Sequence, residues 1–401
     1  MRFRSGLAAL ITAAAVATVS CSSGVSGNPQ PGLTPVDVAS LKVGAYTPEP
    51  MAYQPDIVGY PDIRLIEARR MLNYLVHPFE IDSDITDIGN LKFMNDAESM
   101  IGPNYVPEKF RPAAEDNNLL AGVYMSAINS DLRHRKKLII SIMRFPTDAA
   151  AAKAADQFHQ IANIDPGRHL IPIAGHPDAR ASSLDDIAAL AFISHGPYAI
   201  LVNTGVPQPN QSAIADIFGK TISQQIELLD KQQPTPLDDI LDLPFDPDGI
   251  MRLALPKAPD YSDPFFSDND FAAFQPSGEL HFERNPGEIS KAFEESGVDL
   301  IGRRGGIVYR ARDLTAAFHL QSALVKTGKN DEVLNPPPGL PDARCIKLDS
   351  TDSLRNFDEL CAVVYGRYVG VVVSISPLSS RVDTALYQRA AAQYAVLAKG
   401  A

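Results

Sequence analysis

The chain has 401 residues, long for a single domain and comfortable for two. It is 45% hydrophobic and 21% charged, a globular composition, and its formal net charge is −12. That acidity argues against nucleic acid and against adhesion to anionic lipid head groups by charge, and no later apolar run is long enough to span a bilayer.

In chain order the first signal is one of export. Arg2 and Arg4 form a basic start, and Gly6 to Val19 is an apolar run of small residues interrupted only by Thr12 and Thr18. Ser20 then precedes Cys21, Ser22, Ser23 and Gly24. A basic start, a short apolar core and small residues before a cut make a secretory signal, and the run falls short of the roughly 20 residues a membrane span needs. We expect residues 1–20 to be a lipoprotein signal peptide and Cys21 to carry a diacylglycerol, which holds a membrane far better than a single chain. Thr18 stands where a lipobox usually has an aliphatic residue. Plain secretion and a buried N-terminal helix are the rival readings, and the second fits a charged pair followed by a run ending at Cys-Ser-Ser-Gly poorly.

Residues 21–35 read as a flexible Gly/Ser/Pro/Asn tether. An N-terminal α+β domain is expected over 36–233. It begins irregularly, then DIRLIEARRMLNYLVHP forms a helix that Pro78 stops. Residues 82–116 are polar and read as loop with one short helix. LAGVYMSAIN and LIISIMRF are strands around a basic turn, and TDAAAAKAADQFHQIA is a helix with its own cap. ASSLDDIAALAFISHG and YAILVNTGV are two more strands, followed by a long helix over Asn210 to Gln232.

Residues 234–262, rich in Pro and Asp, read as a linker. A C-terminal α+β domain is expected over 263–401. Its strands are GGIVYRA, ARCIKL, DELCAVVY and YVGVVVSISP. Its helices cover Pro286 to Ser296, DLTAAFHLQSALVKTG and Asp383 to Lys399. The two domains look alike. Phe145-Pro-Thr-Asp-Ala leads into its helix as Arg310-Ala-Arg-Asp-Leu does, and ISHGPYAILVNTG lies opposite VVYGRYVGVVVSI, with Gly196 and Gly366 at the turns and Tyr198 and Tyr368 after them. The fold expected is therefore α+β: two similar units of antiparallel sheet backed by helices on one face, related to a ferredoxin-like plait, from an internal duplication.

Of three cysteines, Cys21 is assigned to the lipid. Cys345 and Cys361 most simply pair in an oxidising compartment, closing a loop worth about 3 kcal/mol. A metal pair or a reactive thiol are the alternatives, but no His lies close in sequence and zinc wants three or four ligands.

The opening VDVASLKVGAYTPEP, the helix RLIEARRMLNYLVHPFEID, the stretch LLDKQQPTPLDDILDLPFDPDGIMRLALP and the late cysteine pair resemble an uncharacterised family of actinobacterial lipoproteins defined by a domain of unknown function. The resemblance spans nearly all of the mature chain. It implies lipid on Cys21 and a Cys345–Cys361 bridge, and it implies no catalytic residue.

Candidate chemistry is sparse. Asp246-Pro-Asp-Gly249 looks like the start of a calcium loop, but Met251 to Leu255 supply no closing carboxylate, so it reads as a turn. Arg64, Glu67, Arg69 and Arg70 share a helix and read as a solvated charged face, with an anion site as the lesser reading. His134 sits in an exposed basic turn, His159 and His319 lie half-buried in helices, and His195 is at a hairpin. No HExxH spacing and no GxSxG appears. Ser182-Ser183 and Ser379-Ser380 read as turns or helix starts, and Gly302-Arg-Arg-Gly-Gly306 has the look of a phosphate loop but lacks the GK[ST] ending and precedes a strand, so it reads as a basic hairpin turn. We expect no cofactor, no metal and no catalytic residue. The expected function is non-enzymatic binding of a small envelope ligand or partner protein by a body anchored to the outer face of the cell membrane. The alternatives are an envelope hydrolase with a dispersed site, which would need a Ser or Asp within reach of a His in a cleft, and a structural protein of the wall.

Overall fold

The strand Tyr198–Gly205 begins YAILV, apolar at five successive positions. A strand alternates its side chains between two faces, so such a run needs cover on both. The computed structural model, which describes residues 32–258, 267–352, 356–376 and 382–401, supplies that cover.

The first half runs α1 (Tyr60–Met71), α2 (Pro78–Ile81), β1 (Asp87–Met94), α3 (Ala97–Met100), α4 (Arg111–Asp116), β2 (Ala121–Ile128), β3 (Lys137–Arg144), α5 (Asp148–Ala162), β4 (His169–Leu170), β5 (Arg180–Ser183), β6 (Ala188–His195), β7 (Tyr198–Gly205) and α6 (Gln211–Asp230). The second runs α7 (Ile250–Leu253), β8 (Ala272–Phe274), α8 (Pro276–Leu280), α9 (Pro286–Ser296), β9 (Leu300–Arg303), β10 (Ile307–Arg310), α10 (Leu314–Leu324), β11 (Glu332–Leu334), β12 (Arg344–Lys347), β13 (Glu359–Tyr365), β14 (Tyr368–Ser374) and α11 (Thr384–Gly400). Each half holds a seven-stranded antiparallel sheet, and the orders are β1-β2-β3-β7-β6-β5-β4 and β8-β9-β10-β14-β13-β12-β11. Element for element these are the same topology.

Small details repeat as well. Arg144 pairs with Tyr198 across β3–β7, and Arg310 with Tyr368 across β10–β14. Gly196 and Gly366 have φ of 52° and 54° at the first position of a two-residue hairpin loop, where Gly is the residue without a steric cost. Thr147 and Asp313 cap α5 and α10 with their side chains. A buried glutamine clamps the backbone in each half. Gln225 of α6 accepts from Val76 N and donates to Tyr74 O, and Gln393 of α11 accepts from Leu255 N and donates to Leu253 O.

The helices do not keep to one face, which corrects the expectation on that point. Ile214, Phe218 and Ile222 of α6 cluster with Leu65 and Ala68 of α1 against Ile200 and Val202. Ala151, Ala154 and Phe158 of α5 cluster against Ala199 and Leu201, the alternate residues of the same strand. In the second half Gln393 of α11 lies against Gly306 and Gly370, and Phe293 of α9 packs its ring at a tilt on Tyr309 from the other side. The apolar runs YAILV and VGVVV demand this two-sided packing.

Two further differences from the sequence reading have local causes. Residues 82–116 contain β1, an edge strand with a register shift between Ile88 and Leu91, so its alternation is broken. ASSLDDIAALAFISH is two strands, because Asp186 (φ 56°) turns the chain between β5 and β6.

The halves pack on each other. Leu41 and Tyr46, from the segment before α1, are buried in the second core, and Thr34 gives its amide and hydroxyl to Asp342 at 2.7 and 2.9 Å. Within 234–262, Ile250, Met251 and Leu253 are buried in that same core, and 259–262 lie outside the described residues. Phe274 and Phe282 reach the other way, into the first core.

Candidate ligand groove

Ile66, Arg69, Arg70 and Asn73 recur at intervals of three and four, which puts them on one stripe of α1 and of the short turn that continues it. That stripe is one wall of a groove at the junction of the halves. The facing wall is β8 with Phe271, and the segments 51–58 and 243–247 close the sides.

The groove has two adjacent lobes, both lined by Tyr53, Pro55, Arg69 and Phe271. The first, of about 330 Å³, is walled by Ile66, Leu243, Pro244, Phe245, Phe274 and Leu300. The second, of about 520 Å³, is the more polar of the two and carries charges of both signs: Asp56, Asp62 and Asp268 with Arg69, Lys257 and Arg304. Both volumes suit a small ligand.

Few side chains are free to move here. Tyr53 donates its hydroxyl to Phe271 O at 3.1 Å. Arg69, 9% exposed, donates from Nε to Asn269 O at 2.7 Å and from Nη2 to Asp268 O at 2.9 Å. Arg304 donates from Nη1 to Met51 O at 3.1 Å, with its guanidinium 5.4 Å from the Tyr53 ring centroid. Lys257 is paired with Asp268 at 2.5 Å. Burial lowers the pKa of Arg69 and of Arg304 from the usual guanidinium range. Burial raises that of Tyr53, opposed by the two arginines.

The charged helix is therefore not a solvated face. Glu67, 1% exposed, accepts from Arg144 Nη1 at 2.6 Å and from Arg70 Nε at 3.3 Å, a buried network that fixes α1 on the sheet. Removing one partner of such a pair costs about 3–5 kcal/mol.

The other candidates fall elsewhere. Cys21 and the signal segment lie outside the described residues, as do Ser379 and Ser380. Cys345 and Cys361 are joined by a disulfide, directly opposed on β12 and β13 with Cα atoms 4.1 Å apart, and both are buried. Asp246 accepts from Met251 N at 2.6 Å, and Asp248 pairs with Arg310 at 2.8 Å, so both carboxylates of the suspected calcium turn hold α7 and β10. Ser182 and Ser183 lie on β5 and are buried. His134 pairs with Asp131 and His195 with Asp230, both at the surface. His159 is half-buried, whereas His319 is exposed and contacts Glu295 and Ser296. Arg303 of the supposed basic turn is 1% exposed and bonded to Glu279 at 2.7 Å. Among the described residues no three His, Cys, Asp or Glu are grouped to hold a metal ion.

One Ser–His contact borders a second cavity: His77 Nε2 lies 3.2 Å from Ser277 Oγ. His77 stacks on the buried His281 at 4.0 Å between ring centroids, and burial pulls its pKa down to about 4. A general base for neutral pH needs a pKa near 7, so this histidine is poorly tuned for activating a serine.

Sequence reasoning missed Tyr53, Phe245, Phe271 and Arg304. The only local signal for the groove was the stripe at 66, 69, 70 and 73. The facing wall, around Asn269 and Phe271, comes from positions some 200 residues away along the chain.

Fold and groove together define a duplicated α+β protein with a small-molecule-sized groove between its halves. The chain belongs to the family of the domain of unknown function DUF7373: the N-terminal family model matches residues 59–245 and the C-terminal one residues 250–400. A search of the curated proteins finds no match. Among solved structures, the extracellular domain of PknH from Mycobacterium tuberculosis aligns at 10% identity and a TM-score of 0.28, covering 45% of this chain and 100% of that one.

Proposed function

We propose that this chain is an exported cell-envelope protein, anchored by lipid on Cys21, that binds a small molecule in its junction groove without transforming it. The observation that carries the reading is the groove itself: a concave site, part apolar and part lined by charges of both signs, walled by both halves of a duplicated scaffold. Export is supported by the basic start, apolar run and small residues that precede Cys21. Among the described residues no helix is long and apolar enough to cross a membrane.

The chain contains no Trp, so Phe245→Trp places a single indole in the apolar lobe. Its emission should shift to shorter wavelength when an organic extract of the envelope is added. No shift across all extract fractions would contradict binding at this groove. Separately, Cys21→Ser should move the protein from the membrane fraction to the soluble one, and unchanged membrane association would count against the lipid.

A further inference from the structure

We infer that the occupant of the groove is an anionic amphiphile, with its apolar chain in the lobe at Phe245 and its acidic head between Arg69 and Arg304. The inference rests on the binding function proposed above and adds to it the chemical class of the ligand.

Two observations carry it. The first is the state of the two arginines. Among the described residues neither has a carboxylate within salt-bridge distance, and their hydrogen bonds go to the neutral carbonyls of Asp268, Asn269 and Met51. Asp62, Asp268 and Asp270 act on Arg69 only at longer range, as Asp246 does on Arg304. Arg70, on the same helix, provides the contrast: it is paired with Glu67. A charge taken out of water is costly unless paired, so a bound anion would relieve both guanidiniums at once. Burial disfavours the charged form of both, which points the same way.

The second observation is the layout. Both arginines line the polar lobe, and Tyr53 lies between them, close enough for each to act on its hydroxyl. The apolar lobe borders the polar one at Arg69, Tyr53 and Phe271, which line both. A head held by the two guanidiniums would therefore lead its chain past Phe271 onto Phe245, Phe274 and Ile66. A free small anion would leave that lobe empty, and a neutral lipid would leave the charges unpaired.

The acidic head could be a carboxylate or a phosphate ester, and the probes distinguish them. The full chain carrying Cys21→Ser is titrated calorimetrically, below micellar concentrations, with hexadecanoate, hexadecyl phosphate and hexadecanol, and with acetate and inorganic phosphate as head groups alone. We expect one or both anionic amphiphiles to bind at least about tenfold tighter than hexadecanol. Affinity should fall about fourfold for each methylene removed from the chain. Arg304→Gln should abolish the preference for the anion and leave hexadecanol within about twofold, Arg304→Lys should keep most of it, and Phe245→Asp should weaken all three long-chain probes. The tighter of the two anions identifies the head group.

Equal binding of hexadecanol and the anions would overturn the inference while leaving the groove as a binding site. Binding of acetate or phosphate as tight as that of the long-chain anions would overturn the amphiphile. No binding by any probe, with Phe245→Trp still responding to envelope extract, would also overturn it and again leave the groove reading standing. Failure of that emission response as well would remove both.

Discussion

His77 is the residue whose environment makes the sharpest statement about stability. Its ring is stacked between Phe79 and His281, and burial takes its pKa to about 4, below the unfolded value of about 6.5. Between those values the unfolded chain binds a proton that the folded chain refuses, so stability rises with pH there. The contribution is complete above about pH 6.5 and is lost as pH falls towards 4, about 3 kcal/mol in all. His281, buried and lowered further by the same cause, acts in the same direction. Exposed carboxylates such as Asp131 and Asp313, whose pKa values are lowered by hydrogen bonds, also lose stabilisation in acid, so the comparison needed is between two proteins. Urea unfolding of His77→Gln should show a smaller loss between about pH 7 and pH 4.5 than the parent, by roughly 2 kcal/mol or more. Parallel profiles for the two would contradict the assignment. None of this is legible in the sequence, where His77 stands beside Pro78 and nothing marks His281, some 200 positions on, as its stacking partner.

At the level of elements, the duplication lets one half inform the other. In the second half Cys345 faces Cys361 across β12–β13, and in the first half Ala181 faces Ala191 across β5–β6 at the equivalent register. Both alanines are buried. Ala181→Cys with Ala191→Cys should form a second disulfide under the same oxidising conditions, seen as the loss of two further hydrogens by mass. Closing so short a loop should raise stability by about 1–3 kcal/mol, read from the thermal midpoint. Two free thiols after oxidation would mean that β5–β6 does not share the register of β12–β13. The repeat was readable from matched turns, caps and helix starts, because those features are local. The coverage of both sheet faces was also written in YAILV and VGVVV, as runs without alternation. The edge strand β1 was hidden because Gly89 and Asn90 break its pattern at a bulge, where Asn90 N bonds to Ser126 Oγ at 2.8 Å.

On the scale of the whole molecule, the two halves are held by exchange. Segment 33–53 packs on the second core, Phe274 and Phe282 enter the first, and the groove forms where these crossings leave a gap. A site built this way joins a helix stripe to segments some 200 residues away, so composition and local spacing cannot announce it whole. Arg69 looked like one more surface charge; its burial and its bonds to the distant carbonyls of Asp268 and Asn269 set it apart from Arg64, which is half-buried and reaches Asn95 O. The most direct test is native mass spectrometry of the full chain with Cys21→Ser, purified gently from an envelope-bearing host, beside the same chain with Phe245→Asp. The account predicts a small-molecule adduct on the first protein and a bare mass on the second. A bare mass for both, or an adduct that survives Phe245→Asp, would contradict it.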